Sequence, residues 1–325
     1  MRGSKEEQRF ERLVQRIAPQ SQLRRMWRLK GGISAQMTAF EVVGADGQSQ
    51  KMIRRSRLRR DRSVKQIRDA TVKEFNTLQL VQSIGVVTPT PYYLDLSGDL
   101  FPTPYLVMEY IEGQPEYAPA NISPDSAFQI ATQLAKIHSV DSSTLDLSFL
   151  PQPTETLADR VAERAAKLAD SSDERHIRET LDAVWPLSTG NQVLPSDACL
   201  LHGDFWPGNM LWKNGQLVAV VDWEDAKVGD PLEDLAISRF DLLFIFGLDV
   251  MKAFTHHYKA ISPIDFTHLP YWDLYAALRA APGIAEWAAG WPQLGRPDLT
   301  EHAIREAHRW FITQALEKLP AQGLC

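Results

Sequence analysis

Three oxygen-bearing side chains, Asp204, Asn209 and Asp222, fall within the short stretch from Cys199 to Asp222. Asp204 and Asn209 stand in a D-x-x-x-x-N spacing, with His202 two residues before the aspartate and Pro207-Gly208 forcing a tight loop between them. Phosphoryl transfer of the kinase type uses this spacing. A phosphoryl group in flight keeps its negative charge, so the chemistry asks for positioning and charge stabilisation rather than a covalent intermediate. Mg2+ needs a few hard oxygen donors and fills its remaining positions with water and phosphate. Asn209 and Asp222 are the candidates for those donors. Asp204 is then free to orient an acceptor hydroxyl and take its proton, and His202 braces the loop.

The elements that must position these residues follow from the pattern around them. Asn214-Gly215 is a strong hairpin signal between Met210–Lys213 and Gln216–Val221, so the two runs pair antiparallel and return Asp222 towards Asn209. This strand island interrupts a mostly helical half. Helical period and propensity predict helices from Ser123 to His138 and over Thr154–Asp170, Ser172–Leu187, Leu232–Phe246, Asp249–Ala260, Tyr271–Ala280 and Thr300–Leu319. Before Gly113 the order is different. An amphipathic helix over Lys5–Ala18 precedes strands at Leu23–Leu29, Met37–Val43 and Lys51–Ser56, a long helix from Ser63 to Gln82, and strands at Tyr92–Asp95 and Tyr105–Tyr110.

The segment Leu201-His202-Gly203-Asp204 through Asn209, continued by Asp222-Trp223-Glu224 and Gly229-Asp230-Pro231-Leu232-Glu233-Asp234-Leu235-Ala236, resembles the aminoglycoside phosphotransferase and choline-kinase-like family. That family carries glycine where protein kinases have arginine in the catalytic loop, as Gly203 does here. The resemblance implies an α+β, two-lobed protein-kinase-like fold, with a small antiparallel-sheet N-lobe holding one long helix (residues 1–111) and a larger, mainly helical C-lobe (residues 112–325). It also implies an ATP- and Mg2+-dependent phosphotransferase acting on a hydroxyl of a small molecule. A protein kinase is disfavoured by Gly203 and by the mere seven residues between Asp222 and Asp230, too few for an activation segment. A nucleotide-binding pseudokinase is disfavoured because Asp204, Asn209 and Asp222 are all intact. Asp230 and Asp234 are expected to cap backbone donors of the catalytic loop.

On the nucleotide side, Gly31, Gly32 and Ser34 form a glycine turn that lets backbone amides approach phosphate, and the resemblance implies that role for it. The third strand should supply a cation to the phosphates, with Glu74 of the long helix behind it. Arg54 is favoured as that cation, with Arg55 and Lys51 as alternatives on strand alternation. The neighbouring basic run, Arg57, Arg59, Arg60 and Arg62, lacks interleaved aromatics and reads as solvated loop charge, not a nucleic-acid surface. Glu109 and Ile111 resemble the family's hinge, whose backbone meets the adenine edge.

The acceptor side is less defined. Trp272, Tyr275, Trp287 and Trp291 are either core or pocket wall. Charge is asymmetric: residues 1–100 carry 19 Lys/Arg against 10 Asp/Glu, and the remainder 16 against 31. A basic first part suits a nucleotide, whereas the acidic remainder suits metal and a cationic acceptor such as an aminoglycoside or amino alcohol, with sugars, hydroxy acids, hydroxyacyl thioesters and macrolides open. The longest apolar run, Leu242–Leu248, is bounded by Asp241 and Asp249 and is too short to span a bilayer. The early residues alternate Arg, Lys and Glu without an apolar signal core, and the two cysteines have no metal-ligand spacing. A cytoplasmic protein with no nucleic-acid or membrane partner is expected.

Overall fold

The computed structural model describes residues 4–29, 35–58, 63–140, 145–156, 159–161, 163 and 198–319. The chain forms two compact units, Met1–Gly113 with Val218–Glu224, and Gln114–Leu217 with Asp225–Cys325. The predicted helix over Ser172–Leu187 lies outside the described residues, as does most of that over Thr154–Asp170. Among the described residues no helix is long and apolar enough to cross a membrane.

In the first unit, α1 (Lys5–Ile17) starts at a capping box in which the Ser4 hydroxyl and the Glu7 carboxylate each accept the other's backbone N–H. Its apolar stripe, Phe10, Leu13 and Val14, is fully buried. The strands β1 (Gln22–Arg28), β2 (Ala35–Val43), β3 (Ser49–Arg57), β4 (Pro91–Asp95) and β5 (Tyr105–Glu109) form one sheet in the order β1-β2-β3-β5-β4, antiparallel throughout. α2 (Val64–Ser83) is capped by Ser63 and buries Ile67, Thr71, Glu74, Leu78 and Val81, three or four residues apart and therefore on one face.

Strand alternation decides what each side of β3 meets. Met52 packs with Phe10, Phe40, Phe101, Tyr105 and Val107 in the core beneath α1. The rings of Phe10 and Phe40 meet edge to face at 5.3 Å, as do those of Phe10 and Phe101. Arg54, two residues on, shares that face, and its guanidinium carbon lies 3.8 Å from the Phe101 ring centre and 4.9 Å from that of Tyr105. Arg55 and Arg57 point the other way, towards Glu74 of α2.

In the second unit, α3 (Pro124–His138) packs against α5 (Leu248–Ile261). α4 (Pro231–Phe246) is the central helix. All 16 of its residues are buried, so it reads apolar all round apart from a few committed polar positions. α6 (Leu269–Ala280) packs on α4 and on α8 (Glu301–Leu316), and the short α7 (Ile284–Gly290) lies against α8. β6 (Cys199–Leu201) pairs antiparallel with β9 (Lys227–Gly229), a short strand that the sequence pattern did not single out. β7 (Met210–Lys213) and β8 (Gln216–Val220) pair about Asn214 and Gly215, whose φ values of 52° and 75° are those of the expected tight turn. β8 leaves the second unit after Leu217 and joins the first at Val218.

Replacing Phe10 by Ala removes a ring that touches two others in the first unit's core, so a loss of about 3–5 kcal/mol of stability is expected. Denaturant unfolding checks it; a change under about 1 kcal/mol would show that α1 is not part of that core.

Candidate active site

The loop from His202 to Asn209 hangs from α4. Asp234 is fully buried, and its two carboxylate oxygens accept the backbone N–H groups of His202 at 2.7 Å and of Gly203 at 3.0 Å. Burial works to raise the Asp234 pKa, but the hydrogen bond and charge of His138, with the backbone donor of His202, hold it below the usual carboxylate range. The predicted capping role therefore belongs to Asp234. Asp230 instead caps its own helix, accepting from Leu232 N–H at 2.8 Å, and also accepts from Trp272 Nε1 at 2.9 Å.

Gly203 is required twice over. Its φ is +83°, and a Cβ there would lie 2.3 Å from the carbonyl oxygen of Asp225. No side chain, arginine included, fits that backbone. Beyond it, the fully buried His202 accepts the Asp204 N–H on Nδ1 at 3.3 Å. Asn209 Nδ2 donates to the Asp204 carbonyl at 2.9 Å and to Asp204 Oδ2 at 3.2 Å. The structure thus brings His202, Asp204 and Asn209 together in one loop of the second unit.

Asp204 has a partner that sequence reasoning missed. Arg279 of α6 donates from Nη2 to Asp204 Oδ1 at 3.1 Å, with both side chains about a third exposed. Burial acts to lower the Arg279 pKa, but the charges of Asp204 and Asp241 outweigh it and raise it. Asp241, buried midway along α4, is pushed up to about 8 by desolvation, with Arg279 opposing the rise and Asp204 adding to it. Asp241 had been noted only as the end of an apolar run. Nothing in the local sequence connects residues 204, 241 and 279.

The first unit holds a second cluster. Arg55 Nε lies 2.7 Å from Glu74 Oε1, and Arg55 Nη2 donates to Asp222 Oδ1 at 2.7 Å. Arg57 donates to Glu74 Oε2 at 3.2 Å and to Glu224 Oε2 at 2.9 Å. Lys73 Nζ donates to the Glu224 carbonyl at 2.6 Å. Trp223 anchors the segment by donating from Nε1 to Thr88 Oγ1 at 3.1 Å. Asp222 itself has a φ of 66°, a left-handed conformation that aspartate tolerates better than most residues. Glu74 is pulled two ways: desolvation raises its pKa and Arg55 and Arg57 lower it, with a net rise.

Two expectations are corrected here. Arg54 does not meet Glu74, because alternation turns it onto Phe101 and Tyr105; Arg55 occupies that position. Arg57 is not a loop charge but a buried residue of β3 paired with two carboxylates. Two adjacent apolar residues, Met52 and Ile53, precede the arginines, so β3 does not advertise which face is the core. Gly31, Gly32, Ser34, Arg59, Arg60 and Arg62 lie outside the described residues. Glu109 closes β5, where its carboxylate accepts from Thr90 Oγ1 at 2.9 Å, and Ile111 lies two residues beyond.

The aromatics divide. Trp272 and Tyr275 are 3% and 1% exposed and belong to the core. Trp287 and Trp291 both meet Phe244, with ring centres at 6.3 Å and 5.8 Å, and Tyr117 touches Trp291 at 5.3 Å while stacking on Trp206 at 6.3 Å. Trp206, Tyr117 and Trp287 remain half-buried, a partly open aromatic wall in the second unit.

Residues 29–291 match the family described as the phosphotransferase enzyme family, and the chain belongs to it. Its fold is the kinase-like fold of aminoglycoside and macrolide phosphotransferases. It is similar to a macrolide 2'-phosphotransferase from Brachybacterium faecium, with a TM-score of 0.61 at 18% identity over 93% of this chain and 97% of that one. A structure of an aminoglycoside phosphotransferase with streptomycin and ATP gives a TM-score of 0.53 at 18% identity, covering 83% of this chain and 89% of the other. In sequence the chain is 29% identical to viomycin phosphotransferase of Streptomyces vinaceus over 168 residues, 47% of this chain and 55% of that protein. It is 26% identical to acyl-CoA dehydrogenase family member 10 of Mus musculus over 241 residues, 67% of this chain. The chain spans only 21% of that relative's length.

Asp241 carries a pH signature. Its unfolded carboxyl titrates near 3.8 and its folded one near 8. Between those values the native state keeps a proton that the unfolded state has lost, so this group's contribution to stability falls as pH rises across the window and is level above it. Asp241→Asn removes that fall. Calorimetric Tm values are expected to show the variant gaining on the wild type up to about pH 8 and no further; an offset independent of pH would contradict the assignment.

Proposed function

We propose that this protein is a small-molecule phosphotransferase that moves the γ-phosphoryl group of ATP to a hydroxyl of its acceptor, with Mg2+ as cofactor. The observation that carries this is the Asp204 loop, in which the Asp204 carboxylate and carbonyl accept from Asn209 and its backbone N–H donates to His202, in a chain of the phosphotransferase enzyme family. Asp204 takes the hydroxyl proton as the acceptor oxygen bonds to phosphorus and the bond to the ADP oxygen breaks.

The donors suit magnesium. Asp204 offers only acceptors to Asn209, so Asn209 must present its NH2 there and keeps its carbonyl oxygen for a cation. Asp222 adds a carboxylate that is 37% exposed. Among the described residues no group of three or more His, Cys, Asp or Glu could hold a metal, which fits an ion that takes most of its ligands from phosphate and water. When bound, Mg2+ and the nucleotide supply a charge-neutralised phosphoryl donor. Arg55 is the cation we assign to the phosphates, since Glu74 holds its Nε side and its fork reaches Asp222. The glycine turn at Gly31, Gly32 and Ser34 and the backbone at Glu109 and Ile111 complete the proposed nucleotide contacts. A nucleotide role is supported by the ATP-bound structure of similar fold.

Asp204→Asn is expected to preserve folding and nucleotide affinity while lowering turnover by about 10²–10⁴. ADP release measured across hydroxyl-bearing antibiotics and metabolites tests it, and an active Asp204→Asn enzyme would remove Asp204 from the chemistry. Arg55→Ala should weaken Mg·ATP binding at least about tenfold, the scale of one lost charge-assisted contact, whereas Arg54→Ala should lower Tm and leave that affinity nearly unchanged. Calorimetric titration of both variants decides it; equal losses would return Arg54 to the phosphate site.

A further inference from the structure

Two arginines on the α4 and α6 pair are held in opposite ways. Arg239 of α4 is buried and makes a two-pronged pair with Asp273 of α6, at 3.0 Å on both Nε and Nη2, the geometry of a structural ion pair. Arg279 of α6 is 30% exposed and among the described residues makes one hydrogen bond, from Nη2 to Asp204. A guanidinium has five N–H donors in a fixed fork, and among the described residues Arg279 spends one of them. Its two acidic neighbours are poor permanent partners. Asp241 is buried, where desolvation pushes its pKa up to about 8, and Asp204 is the base of the proposed reaction.

The surroundings define what would satisfy this arginine. Asp241 stands three residues before Phe244 on α4, and Phe244 carries Trp287 and Trp291. Trp206 follows Asp204 by two residues and stacks on Tyr117. A base, a half-committed cation and a partly open aromatic wall thus share one region of the second unit.

We propose that Arg279 selects the acceptor: it grips an oxyanion, carboxylate or phosphate, of a molecule whose hydroxyl lies against Asp204. An oxyanion takes the Arg279 fork side-on and draws it from Asp204 Oδ1, which leaves that oxygen to receive the hydroxyl proton. A polycationic acceptor would set ammonium groups against the guanidinium and is disfavoured. This rests on the phosphotransfer reading above and narrows it to hydroxy acids and phosphorylated alcohols, against the cationic acceptor that the acidic charge of residues 101–325 suggests.

The test uses the full chain with Mg·ATP. 3-Phenyllactate, 3-phenyllactamide and phenylalaninol place a negative, a neutral and a positive group beside a hydroxyl on closely related skeletons, and glycerol 3-phosphate provides the phosphate arm. ADP release and calorimetric binding are measured for each, on the wild type, Arg279→Gln and Arg279→Lys, with thermal unfolding as the check on folding. The anionic probes should bind and turn over best, the carboxylate and phosphate arms showing which oxyanion is preferred. Arg279→Gln should raise KM for them by at least about tenfold, with little change for the amide, and Arg279→Lys should recover part of the loss. Wild-type preference for the amide or the amine, or an equal effect of Arg279→Gln on all probes, overturns the proposal and leaves phosphotransfer standing. Binding of anions that depends on Arg279 without ADP release retains the anion site and sets phosphotransfer aside. No binding of any anionic probe sinks the proposal.

Discussion

The two hydrogen bonds from the backbone of His202 and Gly203 to Asp234 are the constraint on which the second unit's site depends. A carboxylate this deep is held as an anion by donors on both oxygens, and α4 grips the loop a second time through the buried Ser238 hydroxyl, which donates to the Phe205 carbonyl at 2.6 Å. Helix α4 is buried on every side, so the loop is referenced to the least movable element of the unit. The positive φ of Gly203 then turns the chain so that Asp204 leaves the core and meets solvent. Fixed support below and an accessible carboxylate above follow from one aspartate.

The first unit solves a related problem with opposite charges. Arg55 and Arg57 are each about 6% exposed, and desolvating two guanidiniums is costly unless carboxylates share them. Glu74, Asp222 and Glu224 do so. The cluster is a network rather than a single pair: Glu74 bridges both arginines, and Glu224 receives Arg57 on its side chain and Lys73 on its carbonyl. Removing one member would leave a buried charge uncompensated, so each residue supports the others.

Local chemistry was legible in the sequence, and long-range geometry was not. The D-x-x-x-x-N spacing, the Asn214-Gly215 turn and the cap at Ser63 are decided by residues a few positions apart, and the helix and strand order around them followed. The assignment of Arg54 failed because Met52 and Ile53 are both apolar, so alternation alone does not say which face meets α1. That information resides in Phe10 and Phe101, about 45 residues to either side. Arg279 was missed for a similar reason, since only the packing of α6 on α4 brings it to Asp204, 75 residues earlier.

The crossing of Val218–Glu224 into the first unit has a consequence for how the chain acquires its structure. Asp222 meets Arg55 across 167 residues, a loop that closes only after about half of the second unit has been made. In synthesis from the amino terminus, Arg55, Arg57 and Lys73 are made together with Glu74 but before Asp222 and Glu224. The cluster of Arg55, Arg57 and Glu74 is completed only by anions made downstream, so its completion requires that the loop from His202 to Asn209, upstream of those anions, has already been made.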